Sequence, residues 1–380
     1  MVSVFKNRVQ RVLGLFCVWL QANAIAESPN WLTIYSYPPQ KILNWSTPST
    51  LLKDNVAAIV DGALTASGST KSATGHTVAQ LDCVDSKGKE QKFWSGMSGQ
   101  NFFSDDWKSL MHKKVGFEIL FKGYRDGLVK FEDYEKNRII NYAGEKKSEP
   151  RFLRFEISKE QCRFLGEMHN EFVRRSYYGQ MPLKEWENKP DHELLQYGLP
   201  IVDPLKNYLK FRAGDKFAAL GGGCTGYATS FIRAVGRWSD IFENLWKRSF
   251  TVSHKLIGTA ERPVSVRELL LAHQWTFPHW KNREGWVFDP EHIWRFIGDS
   301  MQCDLRKDAH CSREVSTWLD SHHANLKSFD TITLNGYRDR IVKEGTSRSP
   351  VYVKRRFAAS RKISGITITG VAQSPWKAAR

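Results

Sequence analysis

A chain of 380 residues is long enough for one large domain, or for one domain with an appendage. Its formal charge of +16 would draw it to anionic envelope polymers, lipid headgroups or nucleic acid, without choosing among them. Beyond residue 26 no segment approaches transmembrane length, which excludes a membrane-spanning helix there.

Lys6, Arg8 and Arg11 precede the apolar run Val12 to Leu20, and Ala24-Ile25-Ala26 offers the small residues that a signal peptidase reads. A cleavable secretory signal over residues 1–26 is expected, with a mature chain from Glu27 that is soluble or peripheral and secreted or periplasmic. Its charge would be +13. Bulky Phe16 before Cys17 argues against a lipid-attachment site. Trp31 to Leu52 is rich in Pro, Ser and Trp, and Tyr35-Ser36-Tyr37-Pro38-Pro39 breaks any helix. His76 to Cys83 then alternates, with Thr77, Ala79, Leu81 and Cys83 on one face. Asp85-Ser86-Lys87-Gly88 reads as a turn and Gln91 to Ser95 as the returning strand, so a β-hairpin begins at His76.

Val115 to Phe121 and Arg151 to Ile157 read as further strands, and Tyr124 to Lys147 as a hairpin tip or loop. Ser158-Lys159-Glu160-Gln161 is a capping box, after which Cys162, Leu165, Met168, Phe172 and Val173 share a helical face. Met181 to Asp215 carries four prolines and reads as a long connection. Gly221-Gly222-Gly223 leads into Cys224, and Tyr227, Ala228, Phe231, Ile232 and Val235 follow at helical spacing up to Gly236. Another helix starts at Val264 to Glu268. The rest, to about Ser347, mixes short helices with Trp-rich loops. The last thirty residues are basic, around one strand from Ile363 to Val371.

Without Cys17 five cysteines remain, an odd number in a compartment that favours disulfides. Cys303 and Cys311 are near enough for a local staple. Cys83 and Cys162 could pair or stay reduced in a core. Cys224 is then left over. Three glycines and a helix start stabilise a thiolate there, and the helix amides could bind an oxyanion. A cysteine nucleophile needs a base. His273 falls within an apparent helix, His279 and His292 in Trp-rich loops, and His322-His323 in a polar stretch. His76, at a sheet edge after small Gly75, is the candidate that a helix start could face.

The order of His-headed hairpin, strand, Ser-Lys-Glu-Gln helix start and Cys-initiated helix resembles the circularly permuted NlpC/P60 branch of papain-like cysteine enzymes, which includes the lecithin–retinol acyltransferase-like proteins. Gly75-His76-Thr77-Val78 matches its His strand, and Cys224-Thr225-Gly226-Tyr227-Ala228 its Cys helix, within a span of about 70 to 236. The resemblance implies an α+β fold, an antiparallel sheet packed on the Cys-bearing helix, with an additional helical and Trp-rich C-terminal region. Its domains would be a permuted papain-like catalytic core with insertions over 27–240, a helical, Trp-rich extension over 241–348 and a basic C-terminal segment over 349–380. It implies that Cys224 attacks an amide or ester carbonyl, with His76 shuttling the proton and no cofactor or metal. For the third, orienting residue Gln80, Ser95 and Ser98 all stand open.

The function expected is that of an exported cysteine peptidase, amidase or acyltransferase acting on an anionic envelope polymer or peptide, with peptidoglycan stem peptides the first choice. The sequence is compatible with peripheral membrane contact and shows no module for a stable nucleic-acid partner. The rival reading is a non-catalytic, basic, Trp-rich envelope-binding protein. A zinc hydrolase lacks support, for there is no His-Glu-x-x-His helix and no Cys-x-x-Cys pair.

Overall fold

The computed structural model describes residues 30–39, 42–64, 75–99, 110–125, 127–130, 132–143, 149–179, 181–190, 193–194, 199, 202–216, 218, 220–259, 261–306, 313–322 and 329–375. The expected signal segment, Cys17, Cys311 and His323 lie outside the described residues. The fold is mixed α+β, built on a seven-stranded sheet and several helices.

The sheet grows around β1 (Asn30–Tyr37), in the stretch where the sequence promised only the absence of helix. Thr33, Ile34, Tyr35 and Tyr37 are β-branched or aromatic and suit a pleated surface covered on both faces. β1 pairs antiparallel with β2 (His76–Val84) on one side and with β6 (Arg151–Ile157) on the other. β2 continues through the expected turn into β3 (Glu90–Gly99), the backbone amides of Lys87 and Lys89 donating to Asp85 Oδ1. β4 (Gly123–Arg125) belongs to a small separate sheet, while β5 (Gly127–Lys130) closes the β3 edge of the main one.

Period-two alternation gives the sheet two buried faces. Leu32, Ile34, Ala79 and Leu81 pack on α3 (Lys159–Arg175) and α5 (Cys224–Ala234). Tyr35, Tyr37, Val78, Trp94 and Phe152 point the other way, against Ile139, Ile140 and Tyr142 of α2 (Glu132–Ala143). Each fully buried side chain of this size stabilises the fold by roughly 1.5–3 kcal/mol relative to exposure. α1 (Pro48–Leu64) packs on a second core with α7 (Val266–Leu271).

α3 begins with both halves of the expected capping box, between Ser158 and Gln161. Gln161 Nε2 also donates to the carbonyls of Val235 and Ala372, tying the end of α5 to the C-terminal segment. Cys162 and Cys83 form a disulfide that joins α3 to β2 across the core. Cys303 is also in a disulfide.

Several expectations need correction. Val115 to Phe121 is not a strand: Phe117–Phe121 form a 3-10 helix. Tyr124 to Lys147 contains β4, β5 and the whole of α2 rather than a loop. The connection 181–215 holds α4 (Pro204–Arg212), capped by Asp203, whose side chain accepts from Lys206 N–H. Downstream lie α6 (Asp240–Trp246), the two-stranded sheet of β9 (Lys247–Ser253) and β10 (Asn282–Phe288), then α8 (Pro290–Arg306) and α9 (Arg313–His322). Residues read as helix and loop before Ser347 form β11 (Phe329–Thr346), and the expected C-terminal strand is the end of a much longer β12 (Ser349–Ile368). β12 joins β6 in parallel, so the sheet is mixed, not purely antiparallel. A run dense in Arg and Lys gives little apolar alternation, because most of this ribbon is exposed on both faces.

Candidate active site

Two of the three glycines before Cys224 have a clear local role. Gly221 lies so close to β7 (Ser176–Gly179) that a Cβ would stand 1.9 Å from the Tyr177 carbonyl oxygen. Gly221 and Leu220 form β8 (Leu220–Gly221), parallel to β7, which aims the chain at the start of α5. Gly223 is the N-cap, and no side chain caps this helix. The first amides of α5 therefore stay available at the end where the helix dipole is positive. Cys224, the free cysteine among the described residues, is partly exposed there, on the floor of a cleft enclosing about 990 Å³ of open space.

His76 is the first residue of β2 and only 3% exposed. Its side chain lies on the α2 face of the sheet, while Thr77, the next residue, faces α5 and sits 3.3 Å, hydroxyl to hydroxyl, from Thr225. Being at the strand's end, the imidazole reaches past the sheet edge toward the Cys224 thiol, near enough that each group shifts the other's ionisation. Cys224 and His76, 148 positions apart in sequence, thus lie near each other between the hairpin and the helix start.

Sequence reasoning missed the partner on the other side of the ring. Glu135, on α2 and fully buried, places Oε2 3.1 Å from His76 Nε2. Arg138, one turn along α2, brings Nη1 to 3.6 Å from Glu135 Oε1 and offsets its buried charge. Nε2 is thus engaged by the carboxylate. The Tyr37 ring packs against the imidazole, centroids 5.7 Å apart. The candidates weighed for this place are engaged elsewhere: Gln80 Oε1 accepts from Tyr35, and Ser95 Oγ is 2.8 Å from the Tyr227 hydroxyl. The Ser98 side chain lies outside the described residues.

These contacts bias the pair toward charge separation. Burial pushes the Cys224 thiol up, but the charge and hydrogen bond of His76, the Thr225 hydroxyl and the Thr77 backbone amide outweigh it, leaving the thiol below its ordinary value. Burial and Arg138 press the His76 pKa down, yet Glu135 and the thiolate raise it above the ordinary imidazole value. Both shifts run in the direction that favours a thiolate beside an imidazolium.

The other histidines differ. His169 stacks on Phe93 and has Nδ1 3.1 Å from the Tyr227 hydroxyl; burial alone pushes its pKa down to about 4, so it is a neutral core residue. His273 lies beyond the end of α7 rather than within a helix, and it and His279 are exposed. His292 is on α8, not in a loop. Among the described residues no three His, Cys, Asp or Glu side chains gather as a metal site.

A thiol, an imidazole and a carboxylate grouped at an uncapped helix start, with the thiol lining a cleft, is a constellation suited to nucleophilic acyl transfer. No protein-family model, curated protein or solved structure matches the chain.

The cleft walls are Leu43, Trp45, Met181 and Trp286 on apolar sides, with Asp203, Arg233, Asp289 and Glu291 between them. Arg233 pairs with Asp203 at 3.5 Å and Glu243 at 3.1 Å, and Arg248 pairs with Asp289 at 2.6 Å. Charge is thus largely compensated inside the cleft, and the chain's positive excess lies elsewhere.

Proposed function

We propose that this protein is an exported cysteine hydrolase of the permuted papain-like kind, cleaving an amide bond in an envelope substrate. The observation that carries the reading is the grouping of Cys224, at the start of α5, with His76 and with Glu135, whose carboxylate is hydrogen-bonded to the imidazole.

In the proposed reaction Cys224 Sγ, as thiolate, attacks the scissile carbonyl carbon, and the developing oxyanion takes hydrogen bonds from amides at the start of α5. The imidazolium of His76 gives its proton to the leaving nitrogen as the C–N bond breaks, leaving a thioester on Cys224. Water then attacks that carbonyl, His76 accepts its proton, and the acid leaves as the thiolate re-forms. Glu135 holds the imidazole in the required tautomer and stabilises its charged form, without taking up the proton itself.

Peptidoglycan stem peptides remain the first substrate to test, with export and overall charge in their favour. Purified protein incubated with stem peptides and their cross-linked forms should release new amine and carboxyl ends. An intact-mass adduct on Cys224 should appear with a thiol-alkylating electrophile such as iodoacetamide. Hydrolysis unchanged by Cys224→Ser would overturn the proposal, while exported protein whose N-terminus is still Met1 would overturn only the expected cleavage before Glu27.

A further inference from the structure

The outer part of the β11–β12 hairpin stands away from the core. β12 pairs with β6 only over Ser364–Ile368, and from Tyr337↔Ala358 to Thr346↔Ser349 the two strands pair with each other. Those ten residue pairs extend about 30 Å at the usual rise of about 3.3 Å each. None of the described residues from 337 to 358 is buried.

This ribbon concentrates charge of one sign. Residues 337–357 hold seven Arg or Lys against Asp339 and Glu344. Asp339 is shared by Lys354 at 3.0 Å and Arg356 at 3.3 Å, so the excess stays positive. Among the basic groups stand large apolar side chains in water: Val351 is 57% exposed and Tyr352 66%, both near the turn at Arg348. Tyr337 and Phe357 are exposed further back.

We propose that the distal β11–β12 ribbon docks end-on into an anionic lipid surface. Both faces carry the same mixture, which fits an element surrounded by one medium rather than laid flat. A hydrated polyanion would satisfy the charges but offer Val351 and Tyr352 no apolar phase. The boundary between headgroups and acyl chains offers both, and aromatic rings favour it. Beyond Tyr337, whose N–H donates to Asn137 Oδ1, the ribbon's outer backbone edges have no strand partner among the described residues, so it stops at headgroup depth, where water and phosphate can bind them. This inference goes beyond the proposed hydrolysis and does not depend on it.

The test is co-sedimentation of the full chain with vesicles of phosphatidylcholine alone or mixed equally with phosphatidylglycerol. Variants are compared with the parent, so any contribution of Val12 to Leu20 cancels. Each basic side chain at such a surface contributes roughly fivefold in affinity. Arg340→Gln, Lys343→Gln and Arg348→Gln combined should therefore lower binding to the anionic vesicles on the order of a hundredfold. Val351→Ser with Tyr352→Ser should remove the binding that survives high salt. Unchanged melting and Cys224 alkylation would show that the variants remain folded, as expected of exposed positions. Binding of either variant equal to the parent's would overturn the proposal. If soluble polyphosphate displaced parent and apolar variant alike, the ribbon would be a polyanion site and the lipid assignment would fall.

Discussion

Glu135 Oε2 lies 3.1 Å from His76 Nε2, although the two residues belong to different layers: His76 heads a strand of the sheet and Glu135 sits on the helix that covers one face of it. The thiol approaches from the helix on the opposite face. The sheet edge at His76 is where the two layers meet, and a residue at the strand's first position can touch both. The site is assembled by the layering of the fold rather than by any one segment.

Glu135→Gln keeps the size of the side chain and removes its charge. The carboxylate raises the His76 pKa and, through the imidazolium, lowers that of Cys224. Its loss should move both back: less imidazolium at a given pH, hence less thiolate. Alkylation of Cys224 at about pH 6, below the ordinary range of a thiol, should slow markedly in the variant. Turnover should fall about 100-fold to 10,000-fold with little change in KM. In the parent, rate should rise with pH through the lowered thiol pKa and fall through the raised imidazole pKa. A variant with the parent's alkylation profile would show that Glu135 does not act through the pair.

Gly96→Ala tests the same geometry from the strand next door. A Cβ on Gly96 would stand 2.8 Å from His76 Nε2 and 3.1 Å from the Glu135 carboxyl carbon, so one of the two must move. The expected destabilisation is about 1–3 kcal/mol, as for other overpacked positions. Activity should fall far more than that loss of stability explains. Chemical denaturation and steady-state rates on one preparation separate the two effects, and an active Gly96→Ala enzyme would contradict the placement of Glu135.

The Cys83–Cys162 disulfide closes a separation of 79 residues between β2 and α3. Constraining the unfolded chain over such a loop contributes about 4 kcal/mol in the chain-entropy model. Replacing both cysteines by Ala should cost about 2–5 kcal/mol in urea unfolding. The bond joins the strand that bears His76 to the core, so a reductant should lower the parent's stability by more than that of the double variant, in which only the Cys303 disulfide is left to open.

The legible parts of the fold were those with a local chemical signature. The capping box at Ser158, the turn at Asp85 and the glycines before Cys224 dictate backbone geometry through neighbouring residues, and each stands where the sequence put it. α2 was not legible, because Glu132–Ala143 spends its apolar residues Ile139, Ile140 and Tyr142 in one short cluster amid charge. A Glu-Lys-Asn-Arg run ordinarily reads as a solvated face, yet Glu135 and Arg138 are buried there by pairing with each other and with His76. The one available signal was the spacing of three between Glu135 and Arg138, which marks a helix turn without revealing that it faces inward. β11 and β12 escaped for a related reason: their pairing is set by each other's backbones, and the side chains carry charge instead of alternation.

Cys224→Ser should leave stability nearly unchanged, since a partly exposed sulfur is replaced by an oxygen of similar size. His76 needs more care. Its removal by Ala would take from the fully buried Glu135 the imidazole that meets Oε2, and a buried carboxylate oxygen that loses its hydrogen bond is costly even with Arg138 beside Oε1. His76→Gln keeps a polar side chain beside Glu135 while offering no group that can accept and return a proton near neutral pH. Each single variant should lose turnover by at least on the order of a thousandfold, and the double variant should lose little more than either alone, because thiol and imidazole act as one unit. Melting temperatures measured alongside guard against loss by unfolding. Multiplicative losses in the folded double variant would mean that Cys224 and His76 serve separate steps and are not one catalytic unit.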